Sequence, residues 1–176
     1  MTVELTPFVQ RGLDGAEVQQ VTDIAVRLLD HLNEPTARSL ITAANRPGGS
    51  SALVQAVFAS QALELGFTSE RKGLFASYNS ALRPDYFLAL PEFGTGIILE
   101  VERGKTTTNN MDLLDMWKCH LCEVAHHLFL MVPQALQHNE TMRPKREYAS
   151  VTRRLGTFFE PSENYVNVRT CWVYGY

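Results

Sequence analysis

The sequence predicts an α/β fold, a mixed central β-sheet flanked by helices. Three observations lead there. The first third carries apolar residues at helical spacing. The middle breaks into short runs rich in β-branched and aromatic residues, separated by Gly, Pro and Asn. Beyond them a helical stretch separates two apolar runs, the pattern of a right-handed crossover between strands.

Each element follows in order. In "GAEVQQVTDIAVRLLDHLNE", Val18, Val21, Ile24, Ala25, Leu28, Leu29 and Leu32 line one side of an amphipathic helix over about 15–33. "PTARSLITAAN" is a shorter helix with Pro35 in its first turn. "RPGGSS" breaks the chain, and Ser50 caps a third helix that ends at Gly66. "FTSERKGLFASYN", "RPDYFLALP" and "TGIILEVERG" read as an antiparallel meander. "TTTNNMDLLDMWKCHLCEVAH" is a helix, and "HLFLMVP" is a strand buried on both faces. "RPKREYASVTRRLGTFF" is a basic helix, and "NYVNVRTCWVYGY" is a last strand placed at a sheet edge. The expected organisation is one domain over 1–176. An N-terminal helical layer spans 1–48, a core spans 49–133, and a C-terminal helix and strand span 134–176.

Totals narrow the function. The chain has 176 residues, 45% apolar and 20% charged, which suits one globular domain with a real core. No apolar run reaches the ~20 residues of a membrane span. The opening "MTVELTPFVQRGLDG" lacks the basic and apolar regions of a secretory signal, so a cytoplasmic address and no membrane partner are expected. A net charge of −3 argues against a broadly basic nucleic-acid coat. Three cysteines make no disulfide framework and suit a reducing compartment.

The stretch "RPDYFLALPEFGTGIILEVERGK" raises a chemical question. Asp85 opens one apolar run, and Glu100 and Glu102 close the next. Side chains alternate along a strand, so Glu100 and Glu102 share a face while Val101 points away. A hairpin across "PEFG" brings Asp85 beside them. Three carboxylates at one sheet end raise one another's pKa values, and a divalent cation removes that penalty. Hard oxygen ligands suit Mg²⁺ or Mn²⁺, which complete their shells with water and phosphate oxygens. The competing reading is a set of exposed strand-end charges, with Glu102 paired to Arg103, Lys105 or Arg83.

These residues resemble the PD-(D/E)xK, or restriction-endonuclease-like, nuclease superfamily. Pro84-Asp85 matches the first half of its motif. Glu100-Val101-Glu102 matches the second half, with glutamate in place of lysine, as in some restriction enzymes of the superfamily. The element order over roughly 50–133 resembles the family's αβββαβ core. The resemblance implies a Mg²⁺- or Mn²⁺-dependent nuclease that hydrolyses phosphodiester bonds of nucleic acid, DNA for preference. It makes Asp85 and Glu100 metal ligands, with the Val101 carbonyl as a further oxygen. Glu102 becomes the base or a second-metal ligand. The absent lysine is sought at Lys118, on the helix after the motif, or at Lys105 if a turn at Gly104 swings it back; the competing reading of Lys118 is an exposed residue paired with Asp115 or Asp112. The acidic residue that the family often carries on the preceding helix falls on Gln55, with Gln61 and Glu64 as other candidates by helical phase.

Outside the motif, Arg143, Lys145, Arg146, Arg153 and Arg154 form a basic segment suited to phosphate-backbone contact, or to a solvated surface. Arg71 and Lys72 are weaker candidates. Cys119, Cys122 and His126 at i, i+3, i+7 describe a zinc set or one buried helical stripe, and Trp117 and Leu121 are assigned to core. The length is short for a sequence-specific restriction enzyme, so a homodimer or a partner subunit is expected. A catalytically inactive binding or assembly module on the same fold is the alternative.

Overall fold

The structure is a computed structural model that describes residues 1–69, 83–104, 106–137, 143–160 and 165–176. Lys105, Arg71 and Lys72, and most of the first expected meander strand, lie outside the described residues. The elements run β1 (Glu4–Val9), α1 (Gly15–Leu32), α2 (Pro35–Ala44), α3 (Ser51–Glu64), β2 (Thr68–Ser69), β3 (Tyr86–Leu90), β4 (Thr95–Val101), α4 (Met111–Leu121), β5 (His127–Val132), α5 (Glu147–Gly156) and β6 (Thr170–Gly175). A six-stranded sheet has the order β1-β6-β5-β4-β3-β2. The β4–β5 and β5–β6 pairs are parallel and the other three antiparallel, so the sheet is mixed. No helix among the described residues is long and apolar enough to cross a membrane.

Local chemistry sets most boundaries. Asp14 accepts the Ala16 amide at 2.7 Å and starts α1. Pro35 opens α2, where its missing N–H costs nothing. Ser50 precedes α3 in an extended conformation but makes no side-chain cap. Gly94 takes φ 60° to turn the β3–β4 hairpin after the 3-10 turn Pro91–Phe93.

Strand alternation divides the core into two layers. Ile97, Leu99 and Val101 of β4, with Phe129 and Met131 of β5 and Trp172 and Tyr174 of β6, pack beneath α1, α2 and α3. Ile98, Leu128, Leu130, Val132, Cys171 and Val173 face α4 and α5 through Met116, Cys119, Val151 and Leu155. Each fully buried large side chain contributes about 1.5–3 kcal/mol, and β4, β5 and β6 supply such residues to both faces. The helix between β4 and β5 is a crossover joining parallel strands, as the sequence pattern implies.

Four expectations are corrected. The N-terminal region is not wholly helical: β1 lies at the sheet edge, paired with β6 over six residues. Its sequence "ELTPFV" contains a proline, which edge strands tolerate but which weakens a strand signal. Consequently β6 is interior, between β1 and β5, and every one of its residues is buried. α4 stops at Leu121, so His126 lies beyond the helix and the Cys119–Cys122–His126 stripe is not one helical face. Trp117 and Leu121 are 55% and 49% exposed rather than core. They sit with Leu114 on the outer side of α4, while Met116 and Cys119 face the sheet.

Candidate functional site

β3 and β4 pair with Tyr86 opposite Leu99. One residue further, Asp85 meets Glu100. The Asp85 amide donates to Glu100 Oε2 at 3.3 Å, and the Val101 amide donates to Asp85 Oδ2 at 2.9 Å. Glu100 has the strand parity of Ile98, which places it on the α4 side of the sheet. In a strand the N–H and C=O of one residue point to the same neighbour, so the Val101 carbonyl is also directed to the Asp85 side.

α4 closes the site from above. Lys118 Nζ donates to Glu100 Oε1 at 3.0 Å and to Asp115 Oδ1 at 2.8 Å. The Asp115 side chain is fully buried, Glu100 is 5% exposed and Lys118 is 24% exposed. The competing reading's pair with Asp115 is present, but Lys118 is not an exposed surface residue; it bridges helix and strand. Asp112 is fully buried one turn earlier on α4.

Charge decides the character of this cluster. Burial pushes Glu100 up to about 8; the Asp115 and Asp85 charges add to the rise and Lys118 opposes it. Glu102 is half-buried and is also pushed up to about 8, first by burial and then by Asp115, with Lys118 opposing. Burial also raises Asp115 against the pull of Lys118. For Lys118, burial favours the neutral amine, but Glu100 and Asp115 override it and its pKa is raised. The two partners of the Glu100–Lys118 contact therefore both favour their protonated forms. Lys118 contacts Glu100 and Asp115, and the Asp85 and Glu102 charges lie in the same field, so the lysine favours its charged form while Glu100, Glu102 and Asp115 are pushed toward protonation.

Among the described residues, no group of three or more His, Cys, Asp or Glu is arranged to enclose a metal. What the cluster offers a hard dication is a partial shell: Asp85 and Glu100 in mutual contact, the Val101 carbonyl on the same side, and Glu102 near enough to share their field. Two carboxylates with water and substrate oxygens completing the octahedron is a normal magnesium set. The donor chemistry and the excess negative charge fit such an ion.

The remaining sequence candidates separate. Gln55 lies on α3 and lines a cavity of about 520 Å³ with Ala52, Ala59, Leu63, Ser69 and Tyr86. No hydrogen bond joins it to the carboxylates among the described residues. In the basic segment, Arg154 Nε lies 3.4 Å from Asp112 Oδ2, and its terminal nitrogens donate to Thr107 O (3.1 Å) and Asn110 Oδ1 (2.7 Å). Lys145 donates to Thr108 Oγ1 at 2.8 Å. These two side chains pin the 106–110 loop. Arg143, Arg146 and Arg153 are exposed. All three cysteines are free and buried.

Sequence reasoning missed Asp115 as a member of the site. The signal was the Asp115–Lys118 spacing of three on a helix, which reads equally as a surface ion pair. It also missed a cluster at the other end of β5. There His127 Nε2 lies 2.9 Å from Glu17 Oε1, Arg169 holds the same oxygen at 2.7 Å, and His127 Nδ1 is 2.9 Å from Thr170 Oγ1. Glu17 lies on α1, far from His127 in sequence, and nothing local announces the pair.

Comparison with protein-family models, with curated proteins and with solved structures finds no match.

Proposed function

We propose that this chain is a Mg²⁺-dependent nuclease, of restriction-endonuclease-like type, that hydrolyses DNA phosphodiester bonds. The observation that carries the reading is the meeting of Asp85 and Glu100 at the end of β4 with the Lys118 ammonium 3.0 Å from Glu100. A nuclease of this kind needs hard oxygen ligands and one fixed positive charge at a single spot. The motif position two residues after Glu100 holds Glu102, and Lys118 supplies from α4 the cation that position lacks.

Asp85, Glu100 and the Val101 carbonyl would hold Mg²⁺ or Mn²⁺, which would act as a Lewis acid toward the scissile phosphate. Glu102, with its raised pKa, is suited to orient the attacking water and accept its proton. Lys118 is suited to offset the negative charge that develops on the phosphoryl oxygens. Arg143, Arg146 and Arg153 are the exposed cations left for phosphate-backbone contact. Gln55 brings no charge and lines the α3 cavity with Ala52 and Tyr86, so it is given no part in this scheme.

The test is incubation of the purified protein with plasmid and linear DNA in Mg²⁺ or Mn²⁺, beside Glu100→Gln. Metal-dependent cutting that Glu100→Gln reduces a hundredfold or more is expected. Cutting that is indifferent to Glu100 would remove the assignment.

A second reading has its own observation. Lys118 already bridges Glu100 and Asp115, so part of the acidic charge is neutralised by the protein itself. That suits a binding or assembly module without catalysis. Titration of Mn²⁺ by calorimetry into wild type and Asp85→Ala separates the two: equal, negligible heats favour the module.

A further inference from the structure

We propose that Asp115 is a positioning residue whose task is to keep the Lys118 ammonium in the site when Glu100 turns to a metal ion. The catalytic consequence rests on the nuclease reading; the positioning itself does not.

The geometry is specific. Asp115 and Lys118 stand one turn apart on α4, acid before base. Lys118 Nζ lies between two carboxylate oxygens, 2.8 Å from Asp115 and 3.0 Å from Glu100. Asp115 is fully buried, and among the described residues its other oxygen, Oδ2, has no hydrogen-bond partner. A buried carboxylate with a single cationic partner is an expensive way to stabilise a helix, because desolvation offsets most of the attraction. Its placement is accounted for by what it does to that partner.

That service is needed because Glu100 has two claimants. As a metal ligand it would turn its charge toward a dication, and the dication would repel the nearby ammonium. A lysine tethered to Glu100 alone, with four rotatable bonds in its side chain, would then swing to solvent, to which it is already 24% exposed. Asp115 gives the ammonium an anchor that belongs to the helix, outside the Asp85–Glu100 pair. A metal on the strand and a lysine on the helix can then occupy the site together.

Reductive methylation of the full-length protein, read at Lys118 by mass spectrometry, tests the idea without requiring a metal or a substrate. Glu100→Gln removes the strand anchor and leaves Asp115; Lys118 labelling should rise less than threefold. Adding Asp115→Asn in that background should raise it tenfold or more. A tenfold rise in Glu100→Gln alone, or no response to the added Asp115→Asn, overturns the proposal. If Asp115→Asn does not fold, wild type and Glu100→Gln decide alone: loss of protection in Glu100→Gln overturns it, and retained protection supports it. Where the wild type cleaves DNA, Asp115→Asn should lower kcat at least tenfold and leave KM and the Mn²⁺ Kd within threefold. A Mn²⁺ Kd weakened as much as in Asp85→Ala would make Asp115 a ligand and end the positioning role. A wild type that cleaves nothing refutes the nuclease reading and leaves the labelling result standing.

Discussion

Asp85 and Glu100 hold each other through backbone as well as side chain: the Asp85 amide donates to Glu100 Oε2, and Asp85 Oδ2 accepts the amide of Val101, the next residue on β4. Each carboxylate accepts an amide from the opposite side of the hairpin, and these two bonds keep like charges together. The contact stabilises the hairpin end and concentrates negative charge there at the same time.

Replacing Asp85 by alanine removes an acceptor and a repelling charge together. The lost hydrogen bond costs roughly 1–2 kcal/mol, and relief of repulsion on Glu100 returns part of it. Denaturant unfolding should show a net loss of about 1 kcal/mol or less. Mn²⁺ calorimetry on the same variant should show binding weakened at least tenfold.

The unliganded protein should lose stability as pH rises from about 4.5 toward about 8. Glu100 and Glu102 are raised from 4.5 to about 8 in the fold, so the folded state binds more protons across that window. Their contribution is fully present below 4.5 and is lost as pH climbs through about 8. His127 works the other way. Burial lowers it from 6.5 to about 4, so its contribution is present above 6.5 and is lost as pH falls through about 4. Thermal melts in metal-free buffer should show a shallower alkaline decline for Glu100→Gln and a shallower acidic decline for His127→Gln. Saturating Mg²⁺ should flatten the alkaline slope of the wild type.

Arg154 and Arg153 are adjacent in sequence and should behave differently. Arg154→Met strands the buried Asp112 carboxylate and frees the 106–110 loop, at a cost of about 3 kcal/mol by urea unfolding. Adding Asp112→Asn should recover part of that loss. Arg153 is exposed, and Arg153→Met should change stability by less than about 0.5 kcal/mol. If α5 contacts DNA, Arg153→Met should weaken binding and make the salt slope shallower by about one unit.

Trp117→Ala should leave stability within about 1 kcal/mol of wild type, because the side chain is more than half exposed and meets the His120 ring in a tilted contact at 4.8 Å. Phe129→Ala, fully buried among Phe67, Trp172 and Tyr174, should cost about 3–5 kcal/mol. Denaturant melts of both variants provide the check.

Much of this arrangement was legible before any coordinates. Helical spacing located α1 to within a residue, because an amphipathic face repeats every 3.6 residues and cannot be mistaken for a strand. The hairpin that brings Asp85 alongside Glu100 was readable from two strand-like runs joined across "PEFG". Three things did not follow. β1 is six residues with a proline, and its pairing partner lies at the far end of the chain, so no local pattern marks it. The outer face of α4 is as apolar as its inner one, with Leu114, Trp117 and Leu121 exposed, so periodicity could not tell which stripe faces the sheet. Asp115 looked like half of a surface ion pair, because helical spacing says which residues are neighbours and nothing about how deeply they sit.

The sheet joins residues 4–9 to residues 170–175: among the described residues β1 pairs with β6, and β6 separates it from β5. During synthesis, residues 4–9 and 127–132 are made before residues 170–175 exist to lie between them. Until then β5 presents an unpaired apolar edge, a template for association with other chains. Chaperone dependence of this protein should therefore ease abruptly once β6 emerges, and nascent chains stalled before residue 170 should be far more prone to proteolysis and aggregation than chains stalled with residue 175 clear of the exit tunnel.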